Sequence, residues 1–114
     1  MAGNTNQRKY PRVKAPKSAV VAWQTLGYRE VSRVDNLGLG GLFISTKNPA
    51  KYGAMIQLLI VSPRGHVRVR AEVKSVIEGK GMGVAIMSMD QEDRGKLDRW
   101  LKQLETGSET PVAS

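Results

Sequence analysis

The chain has 114 residues, 40% of them hydrophobic, no cysteine and a net charge of +8. That length suits one domain burying roughly two-thirds of its unfolded surface. The composition excludes disulfides and thiolate metal sites, and no apolar run reaches the ~18 residues of a transmembrane helix.

The first seven residues, Met1 to Gln7, lack the apolar core of a secretory signal, so the cytoplasm is the expected compartment. Residues 1–7 are expected to be disordered. The basic charge is concentrated near this end: Arg8, Lys9, Arg12, Lys14 and Lys17 fall within residues 1–17, which hold no acid. Such an arm is either a solvated face or a contact for an anionic partner, whether nucleotide, nucleic acid or acidic membrane. Pro11 and Pro16 break any helical or strand period, so residues 8–17 read as an extended loop ahead of the core.

Residues 18–24, with Val20, Val21, Ala22 and Trp23, predict a first, largely buried strand. Residues 28–37 predict a second, with Val31 and Val34 facing inward. Then come three glycines within four positions, Gly38, Gly40 and Gly41, ahead of Leu42, Phe43 and Ile44. The spacing predicts a tight connection into a third strand over 41–45. Glycine there supplies either a positive φ or room for close backbone approach. A loop over 46–53 leads to a fourth strand over 55–61. Next, Val67, Val69, Ala71 and Val73 alternate with Arg68, Arg70, Glu72 and Lys74, the signature of a half-buried antiparallel strand. Its phase slips near residues 75–77, which predicts a β-bulge. A sixth strand covers 82–87.

The period then changes. Ser88 to Gln91 has capping-box form, with Asp90, Glu92 and Asp93 at a helix start. Leu97, Trp100, Leu101 and Leu104 follow at helical spacing, Gly107 is a plausible stop, and residues 106–114 read as a disordered polar tail. The sum is one all-β domain over residues 8–105: a six-stranded antiparallel barrel closed on one side by a C-terminal helix.

No catalytic constellation is visible, and no enzyme is expected. His66 reads as solvated, Ser45, Ser62 and Ser75 have no base partner, and Asp90 with Asp93 reads as a helix N-terminus. No metal-ligand spacing occurs, and no cofactor is implied. The segment 36–41 lacks the Gly-Lys-Ser/Thr ending of a P-loop and does not match G-x-G-x-x-G. What is present is a pair of arginines, Arg8 and Arg12, around Lys9, Tyr10 and Pro11. A guanidinium fork can hold a phosphate or guanine O6 and N7. Asn36 offers an amide acceptor and donor to a base edge.

Arg8-x-x-x-Arg12 followed by Asn36-x-Gly38-x-x-Gly41 resembles the PilZ domain family, whose pattern is Arg-x-x-x-Arg and then Asp/Asn-x-Ser-x-x-Gly. The resemblance runs from residue 7 to about 105. It includes Gln7 to Val13, Gly40-Gly41-Leu42, Gly81 to Ile86 and the Asp90 to Arg94 helix opening. It implies a PilZ-like barrel and a bacterial receptor for cyclic di-GMP. Arg8 and Arg12 would grip phosphate and the Hoogsteen edge of guanine. Asn36 would hold a guanine, with Gly41 allowing the turn and the close approach. Gln7, Lys9, Asp35 and Gly40 are additional candidates; Gln7 stands where many binders of a stacked nucleotide dimer carry arginine. Gly38 stands where the family has serine. One neutral hydrogen bond is worth about 0.5–1.5 kcal/mol, so its loss implies about threefold to tenfold weaker binding, recovered on restoring the hydroxyl.

The family also has degenerate members that bind no nucleotide and act through protein contacts, so a partner in motility, pilus or polysaccharide machinery is a second reading. A nucleic-acid-binding barrel is a third. It is disfavoured by only six aromatic residues, of which Trp23 and Trp100 are expected in the core.

Overall fold

Val67, Val69, Ala71 and Val73 are all buried while Arg68, Arg70 and Lys74 face solvent, as their alternation predicts. The computed structural model describes residues 11–106. In chain order these form β1 (Val13–Lys14), β2 (Val20–Thr25), β3 (Tyr28–Leu37), β4 (Gly41–Ser45), β5 (Met55–Ser62), β6 (Gly65–Ile77), β7 (Gly81–Ser88) and α1 (Gln91–Thr106). The expected disorder of residues 1–7 and most of the tail, and the helix stop at Gly107, lie outside the described residues.

The strands run in the order β3-β2-β5-β6-β7-β4, all antiparallel, and β4 pairs back onto β3. This closes a six-stranded barrel and leaves no free edge between these strands. The core holds Val21, Trp23, Leu37, Leu42, Ile44, Ile56, Ile60, Met82 and Val84 from the strands. Leu97, Trp100 and Leu101 of α1 are buried and Leu104 packs at the margin, so the helical stripe faces β6, β1 and β5. The cap is Asp90 rather than Ser88: the Arg94 amide donates to the Asp90 carbonyl at 2.9 Å, the first turn of the helix. Asp93 Oδ2 also accepts the Arg68 backbone N–H at 3.2 Å, tying the helix start to β6. His66 is exposed, near the start of β6 and opposite Val61.

Two expectations about the strands also need correction. Residues 13–14 are not loop but a seventh strand, β1, pairing Val13 with Leu37 and Lys14 with Asn36. Two residues are too few to display a period. Val31 does not face inward; it is 69% exposed. Val31 and Val34 are three apart, and a regular strand cannot bury both. The inward positions are Ser32 and Val34, and Ser32 is accepted in the core because its Oγ receives the Trp23 Nε1–H at 2.9 Å.

Candidate functional site

The site begins with a fault in β3. Val34 pairs with Ile44, but Asn36 pairs with the next residue of β4, Phe43, so Asp35 is an extra residue. This bulge reverses the strand's phase. Val34 and Leu37 are both buried although three apart, and Asn36 is turned to the outer face. Without the bulge Asn36 would point into the core. On that outer face the register aligns Lys14, Asn36, Phe43 and Gly83 in one row across β1, β3, β4 and β7.

A strand has two hydrogen-bonding edges. β4 occupies one edge of β3, so β1 must lie on the other, continuing where β2 leaves off at Arg33. The backbone of Ala15 donates to the Asp35 carbonyl at 2.8 Å and fixes this segment just after β1. Arg12, two residues before Lys14, therefore lands beside Asn36. Its Nη1 donates to Asn36 Oδ1 at 3.2 Å. Among the described residues Asn36 Nδ2 makes no side-chain hydrogen bond of its own.

The glycines are explained by close approach, not by handedness. Positive φ occurs at Gly27, Gly53, Gly65 and Gly79, none of them in the 38–41 segment. A Cβ on Gly38 would stand 2.3 Å from the Pro11 carbonyl oxygen. One on Gly41 would stand 2.3 Å from the Val84 carbonyl oxygen and 3.0 Å from Arg12 Nη2. The Gly38 N–H donates to the Gly41 carbonyl at 2.8 Å, closing the hairpin, and the Gly40 carbonyl accepts from Ile86 N–H at 2.9 Å.

The structure thus brings together Arg12, Asn36, Gly38 and Gly41. Gly40 is held beside them through its backbone, and the Asp35 side chain is exposed next to them. Gln7, Arg8 and Lys9 lie outside the described residues. The sequence reading missed Lys14 and Phe43. The signal for Lys14 was its spacing of two from Arg12, legible only once β1 is known to be a strand. Phe43 is an outward aromatic whose ring covers Gly81: a Cβ on Gly81 would meet the ring at 2.6 Å.

Arg12, Lys14, Lys17, Arg33, Asp35 and Asn36 border a cavity of about 610 Å³. Arg33 and Asp35 also border a larger groove of about 870 Å³ that runs past Phe43 to Lys47 and Lys80. At the far end of that groove burial pushes the Glu30 carboxyl up, but hydrogen bonds from Ser32, Thr46, Tyr28 and Asn48 outweigh it and hold the group below its ordinary value. The hydrogen bond to Glu30 correspondingly raises the Tyr28 phenol. Among the described residues no group of His, Asp and Glu is arranged to hold a metal ion, and no helix is long and apolar enough to cross a membrane.

The sequence profile of one family, the PilZ domain, matches residues 6–103. The chain belongs to the PilZ domain family. Several solved structures share the fold. The PilZ domain of Escherichia coli YcgR with c-di-GMP superimposes with a TM-score of 0.71 at 21% identity, covering 90% of this chain and 94% of that one. The Bacillus subtilis inhibitor of motility MotI/DgrA gives 0.75 at 16% identity, over 90% of this chain and 52% of its own. The K. pneumonia MrkH–c-di-GMP complex gives 0.73 at 15% identity, over 91% and 54%. This PilZ chain therefore spans about half the length of MotI/DgrA and MrkH. No curated protein matches it in sequence.

Proposed function

We propose that this PilZ domain is a cytoplasmic receptor module for cyclic di-GMP whose N-terminal arginine arm closes over the nucleotide and changes the surface offered to a protein partner. The observation that carries the reading is the Arg12–Asn36 hydrogen bond beside the bare backbone of Gly41. In this account Asn36 Nδ2 donates to guanine O6 or N7, and the outward ring of Phe43 supplies an apolar plate for the base. Arg12 meets a phosphate or the same Hoogsteen edge with its guanidinium fork. Arg8, four residues upstream, supplies the second guanidinium. No residue is assigned a catalytic role. The structures of the YcgR PilZ domain and of MrkH with c-di-GMP support the ligand class.

A second reading, a protein-interaction module that binds no nucleotide, draws on the Pro11 carbonyl that fills the space above Gly38. Backbone amide shifts on adding cyclic di-GMP separate the two. The receptor reading expects the largest shifts at Arg12, Asn36 and Leu39 to Gly41; an unchanged spectrum favours the interaction module.

A further inference from the structure

Resting on that reading, we propose that Lys14, Lys17 and Arg33 form an oxyanion subsite beside the Arg12–Asn36 pair, which takes the second phosphate of the cyclic dinucleotide. Lys14 is the register partner of Asn36. Directly opposed residues hold their Cβ atoms about 4.5–5.5 Å apart on one face of a sheet, so the Lys14 ammonium is committed to the face that carries Asn36. Lys17 is brought round by the turn in which the Ala19 N–H donates to the Pro16 carbonyl at 2.9 Å. Arg33 is exposed on β3 just before the bulge.

Among the described residues none of these three side chains makes an ion pair or a side-chain hydrogen bond, whereas Lys74, Lys96 and Lys102 are each paired with a carboxylate. Together with Arg12 they face a single carboxylate, Asp35, around the 610 Å³ cavity, so its charged lining nets +3. Like charges this close repel within a Debye length of about 8 Å, and a bound oxyanion relieves that repulsion. A cyclic dinucleotide carries its two negative charges on opposite sides of one ring. The arginine arm can meet one of them; the other, on the far side of the ring, suits separate cations at a distance. Lysine suits that role as a mobile point charge rather than a geometric reader of a base edge. The subsite should therefore add affinity without adding base selectivity.

The test pairs two probes on the full chain: cyclic di-GMP by calorimetry, and inorganic diphosphate by amide chemical shifts at Lys14, Lys17 and Arg33. Each single change, Lys14→Gln, Lys17→Gln or Arg33→Gln, should weaken cyclic di-GMP about twofold to fivefold, the range for exposed charge pairs. The triple variant should lose about tenfold or more, with preference over cyclic di-AMP unchanged and melting temperature not lowered. Diphosphate should shift the three amides in wild type and not in the triple variant. Triple-variant affinity within twofold of wild type, with no diphosphate response, overturns the subsite and leaves the receptor reading standing. A diphosphate response without any cyclic di-GMP binding supports the oxyanion subsite and overturns the receptor reading. Silence to both probes overturns both.

Discussion

Arg12 Nη1 donates to Asn36 Oδ1 at 3.2 Å, joining the arm to the hairpin across 24 positions of sequence. The bond is half-buried, so its net worth is about 0.5–1.5 kcal/mol. Arg12→Ala and Asn36→Ala should each lower stability by about that much, and the double variant should be little worse than either alone. Denaturant unfolding of the four proteins measures this. Strict additivity would mean that the two side chains do not interact in solution.

Gly38→Ser should weaken the site rather than improve it. The motif comparison suggests that a serine would restore a lost hydroxyl. The structure puts the Pro11 carbonyl oxygen 2.3 Å from the new Cβ and the Arg12 Cα 3.3 Å from it, and both are backbone atoms. The arm must move to admit the side chain, and the Arg12–Asn36 bond moves with it. The expected result is a chemical-shift change at Pro11–Val13's neighbours on β3 and weaker binding of cyclic di-GMP. Tighter binding would mean that the arm yields at no cost.

The contrast between Gly38 and β6 marks where sequence reading ends. The β6 alternation and the α1 stripe were legible because each repeats a local period several times. The arginine and asparagine motif was legible as a spacing. β1 was not, since two residues carry no period and its partner Leu37 lies 24 positions away. Nor was the Asp35 bulge, which is a mismatch between two strands and not a property of one. Yet that bulge turns Asn36 outward, so the motif could be recognised while the reason Asn36 faces out could not. The contact above Gly38 is likewise between backbone atoms distant in sequence, and no residue type announces it.

Trp100 is 3% exposed on the face that α1 turns to the barrel. Trp100→Ala should cost about 3–5 kcal/mol, as for a large aromatic removed from a core. A denaturant midpoint near that of wild type would show that α1 does not close the barrel.

Glu30 gives the protein an acid limb. Burial pushes its carboxyl up, but hydrogen bonds from Ser32, Thr46, Tyr28 and Asn48 together outweigh burial, so its folded pKa lies below the ordinary 4.5. A depressed carboxyl contributes stability above the unfolded pKa and loses it as pH falls through the folded one. Stability should therefore drop as pH falls below about 4.5, and Glu30→Gln should flatten that drop. Unfolding curves between pH 3 and 7 (roughly the carboxylate range) check this. An equal slope in wild type and variant would locate the acid sensitivity elsewhere.

Calorimetric titration with cyclic di-GMP, on wild type and Arg12→Ala, tests the central claim most directly. Charge-assisted hydrogen bonds are worth about 1.5–3 kcal/mol, so the variant should bind about tenfold or more weakly. Cyclic di-AMP should bind poorly to both, because adenine presents an amino donor where guanine presents O6. Added salt should weaken the wild-type interaction as phosphates are neutralised on binding. Saturable heat with wild type, reduced in Arg12→Ala, is the predicted result. No heat from wild type at high micromolar cyclic di-GMP would contradict it.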